Sequence, residues 1–151
     1  MATSRPSKSA KQRASGARAS ARAGEHGARG RPDPLTRLRE ICLKFPEAHE
    51  VEAWGEPTFR VKNKLFAMHA SATTHHGNGR PAVWINATHL TQDLLLRAEP
   101  ERYFCPPYVG GKGWVAAWLD RRPDWNAITQ LLRDGYRQRA PKKLADTLDD
   151  E

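Results

Sequence analysis

The stretch Trp54–Ala70, WGEPTFRVKNKLFAMHA, decides the fold. It reads as a β-hairpin whose two arms flank a turn at Lys62-Asn63 or at Asn63-Lys64. Asn63 suits either turn because it tolerates the positive φ that tight hairpin turns demand. Phe59 and Val61 share one face of the first arm, and Phe66 and Met68 share one face of the second. The pattern places these four side chains on the same, buried side of the sheet. The opposite face of the first arm carries Arg60 and Lys62, a short basic ridge.

Upstream of the hairpin, Asp33-Pro34 has the form of an N-cap followed by the proline favoured at the first helical position. Leu35, Leu38, Ile41, Cys42 and Phe45 then follow helical spacing until Pro46. A short strand is expected over residues 50–54, before a break at Gly55–Pro57. Downstream, the polar loop 71–80 leads to a third strand, Pro81–Asn86, and then to a helix over 88–98 with Leu90, Leu94, Leu95 and Ala98 on one side. Tyr103–Lys112 is loop-like, and Gly113–Leu119 is a continuous apolar run of the kind found in buried strands. A last helix opens at Pro123-Asp124 and carries Trp125, Ile128, Leu131, Leu132 and Tyr136. Gly135 inside it is expected to cost ~1 kcal/mol relative to Ala. This order predicts an α+β fold, an antiparallel sheet with helices packed on one face.

Three regions follow. Residues 1–32 form a basic tail of Ala, Arg, Ser and Gly that cannot bury enough surface to order itself, 33–140 form the domain, and 141–151 form a charged tail. The formal net charge of +8 belongs mainly to the first of these. Residues 1–32 hold eight Lys and Arg against the one acid Glu25, whereas the rest of the chain holds 17 basic and 16 acidic side chains. Three readings compete for the tail: non-specific contact with nucleic acid, an organellar transit peptide, or a passive product of GC-rich coding sequence. No apolar run of ~18 residues is present, so no membrane span is expected. Without a hydrophobic signal core, a cytoplasmic location is the default. Cys42 and Cys105 have no metal-type spacing and read as buried packing thiols.

Chemistry-bearing patterns are sparse. His69, His75, His76 and His89 lack ligand spacing and read as solvated loop histidines, so no metal or cofactor is expected. Tyr108–Trp114, YVGGKGW, lacks the spacing of a phosphate loop and precedes a strand where such a loop would precede a helix. Neither cysteine has a nucleophile signature, and Glu47, Glu50, Glu52 and Glu56 read as a solvated acidic edge. No catalytic constellation emerges. Among five tryptophans, Trp84, Trp118 and Trp125 fit the core by periodicity, whereas Trp54 and Trp114 flank glycines and suit either a cleft or groove or, as tryptophan more commonly does, core packing.

The chain resembles the MmcQ/YjbR family of small bacterial proteins. The matching pieces are Cys42-Leu43 through Phe45-Pro46, Trp54-Gly55, Thr58–Val61, Lys64–Ala67, Pro107-Tyr108, Gly113–Val115 and the final helix with Leu131, Leu132 and Gly135–Arg137. Together they span roughly residues 35–140. The resemblance implies a frataxin-like α+β fold described as a double-wing DNA-binding motif, an assignment that rests largely on shape and supplies no catalytic residues. The expectation is therefore a non-enzymatic DNA-binding protein, weakly sequence-specific at most. Arg60, Lys62 and Lys64 would meet phosphates, joined by Arg80 and Lys112, with the tail adding attraction. The alternative is a module for a small molecule or protein partner, using an aromatic cleft near Trp54, Tyr108 and Trp114.

Overall fold

A computed structural model describes residues 33–74, 76 and 79–148. The expectations for the tail 1–32 and for His75 lie outside the described residues. Helix α1 spans Pro34–Cys42, and the Asp33 carboxylate accepts from the backbone N–H groups of Leu35 and Thr36, as an N-cap should. Strands β1 (Ala48–Ala53), β2 (Glu56–Val61), β3 (Lys64–Ala70) and β4 (Ala82–Ile85) follow. Helix α2 (His89–Ala98), β5 (Tyr103–Phe104), a 3-10 turn (Gly110–Lys112) and β6 (Val115–Trp118) precede helices α3 (Trp125–Arg139) and α4 (Lys142–Leu148). The strands form one antiparallel sheet in the order β1-β2-β3-β4-β6-β5.

Two tight hairpins begin this sheet. Lys62 and Asn63 have φ values of 50° and 65°, so the turn lies at Lys62-Asn63 and has the primed form that matches strand twist. Trp54 and Gly55, at 55° and 77°, make a second turn of the same kind between β1 and β2. The break expected at Gly55–Pro57 is thus a two-residue reversal, and Pro57 already belongs to β2.

Helices cover one face of the sheet. Leu38 and Cys42 of α1, Ile128, Leu131, Leu132 and Tyr136 of α3, and Leu148 of α4 pack there with Phe59, Val61, Phe66, Val83, Ile85 and Val115. Phe45, Phe66 and Tyr136 meet ring to ring, and the Tyr136 hydroxyl donates to the Pro46 carbonyl at 2.6 Å. Gly135 of α3 is a close-approach position: a Cβ there would stand 2.5 Å from the Asn86 carbonyl oxygen.

Four expectations need correction. Met68 does not share the face of Phe59, Val61 and Phe66; it packs on the other side with Trp84 and Trp114. Its reversal comes from a bulge: Phe59 faces Ala67 while Arg60 faces Leu65, leaving Phe66 as an extra residue in β3. One extra residue inverts the alternation of everything after it. On α2, Leu90 and Leu94 are 68% and 56% exposed, and the inward stripe is instead Gln92, Leu95 and Leu96. The stripe begins with a polar residue because Gln92 Nε2 donates to the carbonyls of Gly110 and Trp114 at 2.8 and 2.6 Å. Cys105 is exposed, whereas Cys42 is buried. Finally, the charged segment after Pro141 contains α4, which buries Leu148 against the helix-side core.

Candidate functional site

The second face of the sheet carries its own apolar cluster, and none of that cluster's residues comes from an α-helix. Met68, Ala70, Ala82, Trp84, Trp114 and Ala116 form it, flanked by Leu65, Phe104, Val109 and Trp118. Indoles alternate with alanines along β6 and β4, so bulky rings stand beside small residues on the face opposite the helices. A cavity of about 520 Å³ lies here, lined by Trp54, Leu65, Met68, His76, Trp84, Tyr108, Val109 and Trp114. The volume falls within the ~300–1,000 Å³ common for small-molecule sites.

Two elements place the rim. The β1–β2 turn lifts Trp54 to 64% exposure, and the loop before the 3-10 turn lifts Tyr108 to 75%. Both residues hold left-handed backbone, with φ of 55° and 66°. For a bulky L-residue that conformation costs roughly 1–2 kcal/mol. The Tyr108 loop is anchored from below by Gln92 and by Gly113, where a Cβ would meet the His89 nitrogen at 2.9 Å. Trp84 and Tyr108 have ring centroids 6.5 Å apart, and His76 stands edge-on to Trp84 at 5.6 Å. The buried Trp84 Nε1 has no hydrogen-bond partner among the described residues.

Behind this wall sits Glu56, which is fully buried and not part of a solvated edge. Its carboxylate accepts from the Ser71 N–H at 2.8 Å, the Ser71 hydroxyl at 2.9 Å and the Thr74 hydroxyl. His69 Nδ1 lies 3.5 Å from one carboxylate oxygen and His76 Nδ1 lies 4.0 Å from the other. Burial pushes the Glu56 pKa up, but the Thr74 and Ser71 hydrogen bonds and the nearby His69 outweigh it and hold the group below the ordinary carboxylate value. His69 and His76 are accordingly buried side chains, 8% and 7% exposed, where solvated loop histidines were expected. His89 instead meets the Gly111 carbonyl at the surface. Among the described residues, no cluster of His, Cys, Asp and Glu could hold a metal ion.

The residues singled out from sequence fall into two sets. Trp54, Tyr108 and Trp114 come together on one cavity wall. The five cations do not converge in the same way. Lys62 pairs with Glu47 at 2.8 Å, and Arg80 makes a two-pronged bond to Asp120 at 2.8 and 2.9 Å while lying over the Trp118 ring. That hydrogen bond holds Asp120 below its usual value. Arg60 bonds the Thr58 hydroxyl within its own strand, and Lys64 and Lys112 are exposed at a hairpin and a loop. Sequence reasoning missed Leu65, Met68, His76, Trp84 and Val109 as cavity residues. Trp84 gave no signal because all four residues of β4 are buried, on two different faces.

Comparison with known proteins adds the family. The sequence model of the YjbR family matches residues 43–138. The crystal structure of the Deinococcus radiodurans protein DR2400, with a DUF419 domain, is similar in fold: TM-score 0.59 at 19% identity, over 69% of this chain and 76% of that one. No curated protein matches the sequence. No described helix is long and apolar enough to cross a membrane. The family match spans more than half of the chain, and the chain belongs to the YjbR family.

Proposed function

We propose that this protein is a binding module for a small, largely apolar organic molecule, held in the cavity on the second face of the sheet. The observation that carries this reading is the cavity itself: about 520 Å³, walled by three indoles, a phenol, an imidazole and three aliphatic or thioether side chains. The rim residues add support. The rim aromatics Trp54 and Tyr108 occupy left-handed positions that Asn or Gly would fill at lower cost. Glu47, Lys62 and Arg122 hold the same conformation away from the cavity, so what supports the reading is the choice of an aromatic at both rim positions.

Phosphate contact through Arg60, Lys62, Lys64, Arg80 and Lys112 draws less support, because two of the five are tied to carboxylates. A DNA-binding domain also ordinarily presents one basic face, whereas residues 33–151 are nearly neutral.

The test is a thermal-shift and tryptophan-fluorescence screen of the full chain against apolar ring compounds, with duplex DNA at low salt as a parallel arm. Expected is saturable stabilisation by at least one ring compound, weakened about tenfold in Trp54→Ala and Tyr108→Ala at unchanged or higher melting temperature. If duplex DNA alone binds, and Lys62→Glu with Lys64→Glu abolishes it, the cavity reading fails.

A further inference from the structure

Resting on that reading, we infer that the cavity selects an organic cation, a small quaternary or tertiary ammonium carrying apolar groups. Two independent features point there. First, Trp54, Trp84, Trp114 and Tyr108 surround one space, and no Lys, Arg, Asp or Glu is among the eight lining residues. Such π faces carry negative potential and attract a positive charge that has weak hydration. Second, the charge directly behind the wall is a carboxylate: among the described residues Glu56 is partnered by hydroxyls, a backbone N–H and imidazoles, and by no Lys or Arg. Among the described residues, the buried Glu56 meets the His69 and His76 imidazoles, and its pKa is held down, so it is ionised near neutral pH.

The His76 ring connects the two features. It lines the cavity on one side and brings Nδ1 to 4.0 Å from the Glu56 carboxylate on the other. A cation in the cavity therefore sits one imidazole away from a buried carboxylate. An anion would face the same carboxylate and the negative ring faces, with no Lys or Arg in the lining. A neutral ring would gain the apolar burial alone. Charge complementarity thus separates the three ligand classes, and the cation is favoured.

An isosteric pair tests this directly. 3-Hydroxyphenyltrimethylammonium and 3-tert-butylphenol share size and shape and differ by one positive charge. Each is titrated into the full-length protein, with tryptophan fluorescence and calorimetry as readouts. The cation is expected to bind at least about tenfold tighter than its neutral twin. In Glu56→Gln the ratio of the two affinities should fall severalfold, a quantity in which any general loosening of the wall cancels. In Trp54→Ala the cation affinity should drop.

Equal or tighter binding of the phenol overturns the cation assignment and leaves the cavity reading standing. Cation binding that is indifferent to Trp54→Ala places the ligand elsewhere and also overturns it. Failure of both probes to bind saturably, with every ring compound of the wider screen also failing, removes both readings together. The wild-type ratio decides the matter even if Glu56→Gln does not fold.

Discussion

Replacing Glu56 with Gln removes a charge and almost no volume, so its effect isolates what the buried carboxylate does. One carboxylate oxygen takes the Ser71 N–H and the Thr74 hydroxyl; the other takes the Ser71 hydroxyl. A Gln whose carbonyl occupies the first position keeps two donors, and its amide meets the Ser71 hydroxyl, which can rotate to accept. What disappears is charge assistance. Hydrogen bonds to charged groups contribute about 1.5–3 kcal/mol and neutral ones about 0.5–1.5, so two retained bonds lose roughly 2 kcal/mol together. In a domain of this size that is roughly 6 °C of Tm. The pH dependence follows from the depressed folded-state pKa. The stabilisation is present above the unfolded-state value of about 4.3 and is lost as pH falls through the lower folded-state value. Urea titrations of both proteins at pH 7 and through the acid range read it out. The gap of about 2 kcal/mol should close at low pH, where wild type is also protonated. A gap that keeps its neutral-pH size down to the lowest pH at which both proteins fold would refute the reasoning, as would no gap at pH 7.

Two further outcomes are expected. Gly135→Ala should destabilise by about 1–2 kcal/mol in urea, although helix propensity alone favours Ala by about 1 kcal/mol. The new Cβ would stand 2.5 Å from the Asn86 carbonyl oxygen and crowd the Asn86 amide that donates to the Gly135 carbonyl, so a stabilised variant would contradict the packing described. A thiol reagent such as DTNB should label Cys105 in the folded protein and reach Cys42 only on unfolding, because burial, aided by the Glu50 charge, pushes the Cys42 thiol up. Two equally fast thiols would place Cys42 at the surface.

Most of the fold could be read from local rules. The Asp33 cap, the Lys62-Asn63 turn, the apolar strand ending near Leu119 and the Asp124-capped helix all depend on residues within a few positions of one another. The misreadings occurred where a distant contact decides. Strict alternation puts Met68 on the wrong face because it cannot see the extra residue at Phe66. Leu90 and Leu94 looked like the buried stripe because hydropathy discounts a Gln that bonds two carbonyls across the structure. Glu56 looked solvated because Ser71 and Thr74, 15 and 18 residues away, supply its donors. The cleft residues were legible for a different reason. Trp54 and Trp114 each stand beside a glycine, which admits a cleft beside the commoner core-packing reading; Trp114 does both, buried in the second cluster while lining the cavity.

The bulge that reverses Met68 also shapes the site. With regular alternation through Phe66 in place of the bulge, Ala67 would turn to the second face and Met68 would join the helix-side core. The cavity would lose its thioether wall, and the helices would have to accommodate a side chain they do not now meet. The bulge therefore sorts the hairpin's apolar residues between two jobs: Phe59, Val61 and Phe66 hold the helices, and Leu65 and Met68 go to the cavity. A sheet that needed only one buried face could instead carry polar residues on its second face, as half-exposed antiparallel sheets commonly do. This one spends three tryptophans and a methionine there, and strains two rim residues to complete the wall. That allocation has a physical rationale if the second face receives a ligand, and the isosteric probe pair asks which charge that ligand carries.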